Sequence, residues 1–115
     1  MSEKMPTITI NGEAFSTMTI EHSARKHWGS NSDAVFSKFY QALDQRLIEP
    51  DNKDNFGRSV YVIASCISGF GSLIGRKDTS YRDTAFTLHP ETETIRFFHG
   101  SPRKKNWYFK QSNRE

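Results

Sequence analysis

The chain has one cysteine, Cys66, so it cannot form a disulfide within itself. Cys66 lies in an apolar run, where a buried free thiol is the usual situation. The first residues, Met1–Pro6, contain no apolar core of a secretory signal. The longest uncharged run, Ser59–Gly75, is shorter than the roughly 20 apolar residues of a membrane span, and serine and glycine dilute it. We therefore expect an intracellular, cytoplasmic protein that does not enter a membrane.

The sequence also lacks a recognisable catalytic or metal-binding motif. Its four histidines are scattered without metal-ligand spacing: His22, His27, His89 and His99. The glycines Gly69, Gly71 and Gly75 do not make a phosphate-binding loop, because five residues instead of four separate Gly69 from Gly75, and arginine follows in the place of lysine. We expect no cofactor and no metal, and the sequence favours a non-catalytic protein while it leaves enzymatic activity open.

The length of 115 residues suits one domain that buries a single core without disulfides or metals. The 35% of apolar and 25% of charged residues are ordinary for a globular protein. We predict a single α+β domain over residues 1–115, with flexible ends near 1–6 and 111–115. The oligomeric state stays open, and a dimer is not excluded.

The first half of the chain predicts a hairpin followed by two helices. Residues 7–10 alternate, and the Asn11-Gly12 pair that follows is a strong signal for a two-residue turn, with a return strand from Glu13 to about Ile20. A short helix over 21–28 would end at Gly29. Apolar residues recur at helical spacing over 33–48, which predicts the main amphipathic helix, and Pro50 would end it.

The second half predicts mainly strands. Residues 59–67 favour a buried strand, although their apolar spacing also fits a helix that reaches towards residue 74. Strands over 83–89, 94–99 and 106–111 would form a three-strand meander. The expected architecture is an antiparallel sheet, made of the N-terminal hairpin and the C-terminal meander, packed on one main helix and a short helix.

Positive charge is concentrated near the end of the chain. From Arg96 to Glu115 there are six basic residues and one acid, whereas the first 95 residues carry ten basic and twelve acidic residues. Five of the fifteen aromatic residues lie in the same stretch. Cations attract phosphate and flat rings stack on bases, so the composition indicates contact with nucleic acid.

Strand alternation divides these residues between two faces. The predicted core side holds Phe86, Leu88, Ile95, Phe97, Trp107 and Phe109. The opposite side holds Ala85, Thr87 and His89 beside two rings and two cations, and the loop between the last two strands adds three more cations. The candidate binding residues are Arg96, Phe98, Arg103, Lys104, Lys105, Tyr108 and Lys110.

Three functions remain open. The first is a small non-catalytic protein that binds single-stranded nucleic acid through this face and loop. The second is a protein-interaction module, such as an inhibitor, adaptor or regulator, whose same patch binds an acidic protein. The third is a small metal-independent ribonuclease, because helices before an antiparallel sheet, with histidines and cations nearby, resemble bacterial ribonuclease toxins at the level of fold.

Overall fold

The N-terminal hairpin and the C-terminal strands join in one sheet, and the helices pack on one side of it. The computed structural model describes residues 2–54, 56–63 and 84–99. Within these residues the strands are β1 (Ser2–Ile10), β2 (Glu13–Ile20), β3 (Asn52–Lys53), β4 (Ser59–Val62), β5 (Thr84–His89) and β6 (Thr94–His99). The helices are α1 (His22–Trp28) and α2 (Ser32–Ala42), with 3₁₀ turns at Gly29–Asn31 and Pro90–Thr92. The α+β class is confirmed.

The strand order across the sheet is β1-β2-β6-β5-β4-β3. Four of its pairings are antiparallel, but β2 and β6 run parallel, with Met18 opposite Ile95 and Ile20 opposite Phe97. The sheet is therefore mixed, whereas the sequence predicted an antiparallel one. Alternation of apolar residues has the same period in both kinds of pairing, so it does not reveal the direction of a distant partner.

The strand β1 begins earlier than the alternating residues suggested. Ser2 lies opposite Thr19 and Lys4 opposite Thr17, and the register then shifts before Ile8. Pro6 lies inside this irregularity, where the ladder does not require its missing N–H. Residues 2–4, which fall within the end that the sequence predicted to be flexible, are thus paired with β2. The other predicted flexible end, 111–115, lies outside the described residues.

The helix α2 ends at Ala42, six residues before the predicted end at Ile48. The chain leaves the helix to follow the edge of β1. Gln45 adopts a positive φ of 66°, and its amide donates to the Thr9 carbonyl oxygen at 2.6 Å. The Asp44 carboxylate accepts from the Thr9 amide at 3.0 Å. Tertiary pairing with the sheet edge, and not Pro50, ends the helix.

The core lies between the helices and the inner face of the sheet, which is the face that bears Phe86 and Phe97. Phe97 packs in the middle of an aromatic cluster, with ring centroids 5.0 Å from Phe36, 6.4 Å from Phe39 and 5.7 Å from Phe86. Ile95 is also fully buried, and Leu88 is half-buried against the core. The predicted core side is correct at these positions, and Trp107 and Phe109 lie outside the described residues.

The other side of the sheet, which we call the outer face, carries Ala85, Thr87 and Arg96. Part of it is closed: Val60, Val62 and Ala85 are buried, and Phe98 packs against them. Thr87 is also buried, although the sequence placed it on an open face. Residues 59–62 form the expected strand, whereas 64–67 and the expected last strand at 106–111 lie outside the described residues.

A hydrogen bond ties α2 to β2 inside the core. The Tyr40 hydroxyl donates to the Phe15 carbonyl oxygen at 2.7 Å, and both residues are fully buried. Burial, together with the carboxylates of Asp44 and Glu93, raises the pKa of Tyr40 to about 12. The hydroxyl therefore stays protonated, and able to donate, throughout the physiological pH range.

Replacing Tyr40 with phenylalanine should lower the free energy of unfolding by about 1–2 kcal/mol, because a buried carbonyl oxygen loses its donor while the ring packing remains. Chemical denaturation followed by circular dichroism measures the change. Lys38→Ala, at an exposed position of the same helix, is the control and should change stability by less than about 0.5 kcal/mol. Equal stability of Tyr40→Phe and the parent would show that this hydroxyl does not support the fold.

Candidate functional site: an arginine on the outer face and a cleft

Two of the seven predicted binding residues fall in the part of the chain that the structure describes. Both Arg96 and Phe98 lie on β6, and they share the outer face of the sheet. Ile95 and Phe97, which alternate with them, are buried in the core as the pattern predicted. The remaining five lie outside the described residues: Arg103, Lys104, Lys105, Tyr108 and Lys110.

Arg96 lies against the ring of Phe98. The guanidinium carbon is 5.7 Å from the ring centroid, within the range of a cation–π interaction. The Arg96 side chain keeps 44% of its surface exposed. Phe98 is half-buried, since it packs on Val60, Val62 and Ala85. The half-buried Phe98 ring therefore supports the Arg96 guanidinium and offers only part of its own surface to a partner.

A carboxylate already neutralises Arg96. Its Nε donates to Glu21 Oε2 at 2.7 Å, and the Glu21 side chain is partly exposed. Glu21 directly follows β2, and its amide donates to the Phe97 carbonyl oxygen at 2.8 Å, which continues the parallel pairing past Ile20. Glu21 is not apparent from the sequence, because only the pairing of β2 with β6 brings it to Arg96.

Hydroxyl groups surround Arg96 on the outer face. Thr19 is its register partner on β2 and Thr87 its partner on β5. Thr17 and Thr94 are paired in the next row, and Thr17 is also opposite the exposed Lys4. Towards the N-terminal hairpin the face is therefore polar, with two cations among threonines.

A second charged cluster joins β4, β5 and the Pro90 turn. Arg58 donates to the Leu88 carbonyl oxygen at 2.7 Å and to Glu91 Oε2 at 3.0 Å. His89 Nδ1 lies 3.7 Å from the same carboxylate oxygen, and its Nε2 is 2.8 Å from the Thr87 hydroxyl. Burial and the positive charge of Arg58 lower the pKa of His89, against the opposing effect of Glu91. These contacts link the start of β4 and the end of β5 to the turn at Pro90–Thr92.

The other histidines do not assemble a metal site. His27 and His99 approach each other with ring centroids 4.6 Å apart, at the junction of α1 and β6. His22 is exposed on α1. Within 2–54, 56–63 and 84–99, no group of three or more potential metal-binding side chains comes together.

A cleft of about 280 Å³ opens beside the turn of the first hairpin and the Pro90 turn. Its lining includes Phe15, Tyr61 and Leu88 from the strands, and Asn11 and Arg58 at the rim. Asn11 was predicted only as a turn residue. Its side chain also holds the loop after α2, because it donates to the Ile48 carbonyl oxygen at 3.2 Å and accepts from the Ile48 amide at 2.7 Å.

Comparison with protein-family models, curated proteins and solved structures gave no match. In the described portion of the chain, no helix has both the length and the apolar character that crossing a bilayer requires. The candidate function therefore rests on the residues themselves.

The free energy of unfolding should fall as the pH falls below about 6.5, because the folded pKa of His89 lies below that ordinary value. Above that pH the His89 ring is neutral in both the folded and the unfolded chain, so its titration does not change the free energy of unfolding. Below it, protonation favours the unfolded chain until the folded form also titrates. Urea denaturation at pH 5 and pH 7 measures how much the free energy of unfolding changes between these two pH values. This change should be smaller for His89→Gln than for the parent. An unchanged difference would assign the pH dependence to other groups.

Proposed function

We propose that the protein is a small non-catalytic binding protein that binds single-stranded nucleic acid through the polar part of the outer face. The observation that carries the proposal is Arg96, which stays exposed on that face and lies on the ring of Phe98. An arginine supported by an aromatic ring presents a flat cationic plane. Bases stack on guanidinium planes as well as on aromatic rings.

The neighbours of Arg96 support this proposal. Threonine hydroxyls donate hydrogen bonds to phosphate and ribose oxygens, and Thr17 and Thr19 lie in the rows around the guanidinium. Lys4 adds a second cation at the edge. The candidate residues Arg103, Lys104, Lys105, Tyr108 and Lys110 follow β6 in the sequence, and the proposal includes them as further cationic and aromatic contacts.

The carboxylate of Glu21 competes with phosphate for the Arg96 guanidinium. Its carboxylate holds the Arg96 guanidinium at 2.7 Å, where a phosphate would otherwise bind. Exposed ion pairs of this kind contribute only about 0.2–1 kcal/mol, so a phosphate chain with several contacts can displace the carboxylate. Binding then exchanges one anion for another and leaves the sheet unchanged.

The proposal includes an intracellular location, where single-stranded RNA is present. An acidic protein bound to the same patch is the alternative, because carboxylates also pair with Arg96. A metal-independent ribonuclease is the further alternative from sequence, and the binding assay below tests it through the integrity of the RNA.

Fluorescence anisotropy of labelled 12-nucleotide RNA and DNA, titrated with the protein at several salt concentrations, tests the proposal. Four phosphate contacts predict a slope of the log–log salt plot near −2.8, from about −0.7 for each contact. Arg96→Gln should weaken binding and make the slope shallower by about 0.7. Glu21→Gln should strengthen binding by up to about fivefold, which corresponds to the about 1 kcal/mol of an exposed pair.

Lys38→Gln is the matched control, because it removes an exposed cation from α2, which packs on the inner face. It should change affinity little beyond the general effect of one charge. Absence of binding at low salt, or equal losses for Arg96→Gln and Lys38→Gln, would reject the proposed surface. Gel analysis of the same RNA after incubation would reveal cleavage, and binding to polyglutamate but not to RNA would favour the acidic-protein alternative.

A further inference from the structure

The turn of the first hairpin contains the one Asn-Gly pair of the sequence, Asn11-Gly12. Glycine has no Cβ, so its main-chain amide is the least hindered nucleophile that can follow an asparagine side chain. Apart from the chain neighbours of Gly12, no described residue has an atom within 4 Å of the place that a Cβ at this position would occupy. The Gly12 amide is therefore sterically free to attack the side-chain amide carbon of Asn11.

The folded turn keeps these two groups apart. Asn11 has a φ of 52° and Gly12 a φ of 80°, and positive values at both positions identify a type I′ turn. In such a turn ψ of the first residue is about 30°, which places the next nitrogen nearly opposite Cβ about the Cα–C bond. A five-membered ring needs this nitrogen and Cβ on the same side of that bond. The turn therefore has to open before the ring can close.

The main chain of Ile48 also fixes the Asn11 side chain. Nδ2 of Asn11 donates to the Ile48 carbonyl oxygen at 3.2 Å, and Oδ1 accepts from the Ile48 amide at 2.7 Å. One side-chain amide thus uses both its donor and its acceptor on a single residue, and Ile48 is buried. Rotation of the side chain towards Gly12 has to break these hydrogen bonds.

The segment that ends at Ile48 runs along the edge of β1, and we call residues 44–48 the edge segment. The Gln45 amide donates to the Thr9 carbonyl oxygen at 2.6 Å, and the main-chain amide of Asn11 donates to the Arg46 carbonyl oxygen at 2.9 Å. The first four residues of the edge segment are exposed, and only the last is buried. Hydrogen bonds to β1 and to the hairpin turn therefore hold most of its length.

We propose that Asn11 is a deamidation site whose reaction the fold suppresses and whose products release the edge segment from the hairpin. The Gly12 nitrogen forms a bond to Cγ of Asn11, and Nδ2 leaves as ammonia with the proton of the Gly12 amide. The resulting cyclic imide is opened by water at one of the two bonds between the Gly12 nitrogen and a carbonyl carbon. The products are aspartate or isoaspartate at position 11, and no oxidant or reductant takes part.

Both products lose the contact with Ile48. In aspartate an ionised carboxylate oxygen replaces the Nδ2 donor, and it repels the Ile48 carbonyl oxygen. Isoaspartate adds one carbon to the main chain of a two-residue turn, which disturbs the pairing of Ile10 with Glu13. The Ile48 carbonyl oxygen loses this donor in either case, so the open form becomes more populated. Release of the edge segment uncovers the edge of β1 at Thr9, and an uncovered edge can pair with another strand.

Mass spectrometric peptide mapping of the full chain tests the protection. Samples are incubated at pH 8, either folded or in concentrated urea, and the conversion of Asn11 is followed with time. If opening is fast compared with the reaction, the folded chain reacts at the unfolded rate multiplied by its open fraction. Because two hydrogen bonds have to break, the folded rate should be at least about tenfold lower.

A variant that loosens the edge segment should speed up the reaction in the folded chain. Asp44→Ala removes the carboxylate that accepts from the Thr9 amide, and we expect at least about a threefold faster conversion. The matched control is Asp33→Ala, which removes a carboxylate contact with Arg25 near the start of α2 and should leave the rate unchanged.

Amide hydrogen exchange of Asn11→Asp, which is one of the two products, tests the release. The amides of Gln45 and of residue 11 should exchange at least about tenfold faster than in the parent, because they bond across the contact that is lost. Asn11→Gly keeps the positive φ without a side chain and should show the same change. An unchanged exchange rate at Phe97 checks that each variant keeps its core.

Equal conversion rates of Asn11 in the folded chain and in urea would overturn the proposal, as would no conversion in either sample. Parental exchange at Gln45 in both Asn11 variants would also overturn it. None of these measurements involves nucleic acid, so their outcome does not depend on whether RNA binds to Arg96.

Discussion

The parallel pairing of β2 with β6 is the constraint on which the other features depend. It places Met18 beside Ile95 and Ile20 beside Phe97, and it joins the N-terminal hairpin to the C-terminal strands. Phe97 is then enclosed by the rings of Phe36, Phe39 and Phe86. Without this pairing the hairpin would be a two-stranded ribbon with no sheet to extend, and such ribbons are marginal in water.

Burial of Phe97 decides what the outer face can present. Because side chains alternate along a strand, a buried Phe97 directs Arg96 and Phe98 to the other side. The same pairing brings Thr19 next to Arg96 and carries Glu21 to the guanidinium. The positions of the cation, its support and its competing carboxylate are therefore consequences of how the core packs and of the pairing of β2 with β6.

Local patterns predicted a large part of this fold. The Asn11-Gly12 turn, the bounds of β2 and β6, and the alternation on β6 were read correctly, because each depends on residues close in sequence. The end of α2 and the early start of β1 were not predicted correctly. Both depend on contacts that form only in the assembled sheet, between Thr9 and Gln45 and between Ser2 and Thr19.

The candidate sites divide in the same way. Arg96 and Phe98 could be placed on one face from alternation alone. Glu21 and the cleft could not, because they require a parallel register and the convergence of Asn11, Arg58 and Pro90 from three distant segments. Charged residues that are close in sequence can therefore be predicted as one patch. Glu21 cannot, because only the tertiary structure brings its carboxylate to them.

Two arginine–carboxylate pairs of similar length have different roles for a geometric reason. Arg58 donates to Glu91 and also to the Leu88 carbonyl oxygen, so it links two strands and a turn through the main chain. If another anion displaced Glu91, the Arg58 guanidinium would still be hydrogen-bonded to the Leu88 carbonyl oxygen on β5. Arg96 is held only by Glu21 and by the face of Phe98, within the described contacts. In the proposed function a phosphate replaces Glu21 without breaking any main-chain contact described for Arg96, and the ring continues to support the cation. Arg58 therefore belongs to the framework of the cleft, whereas Arg96 is the arginine that we propose exchanges its partner.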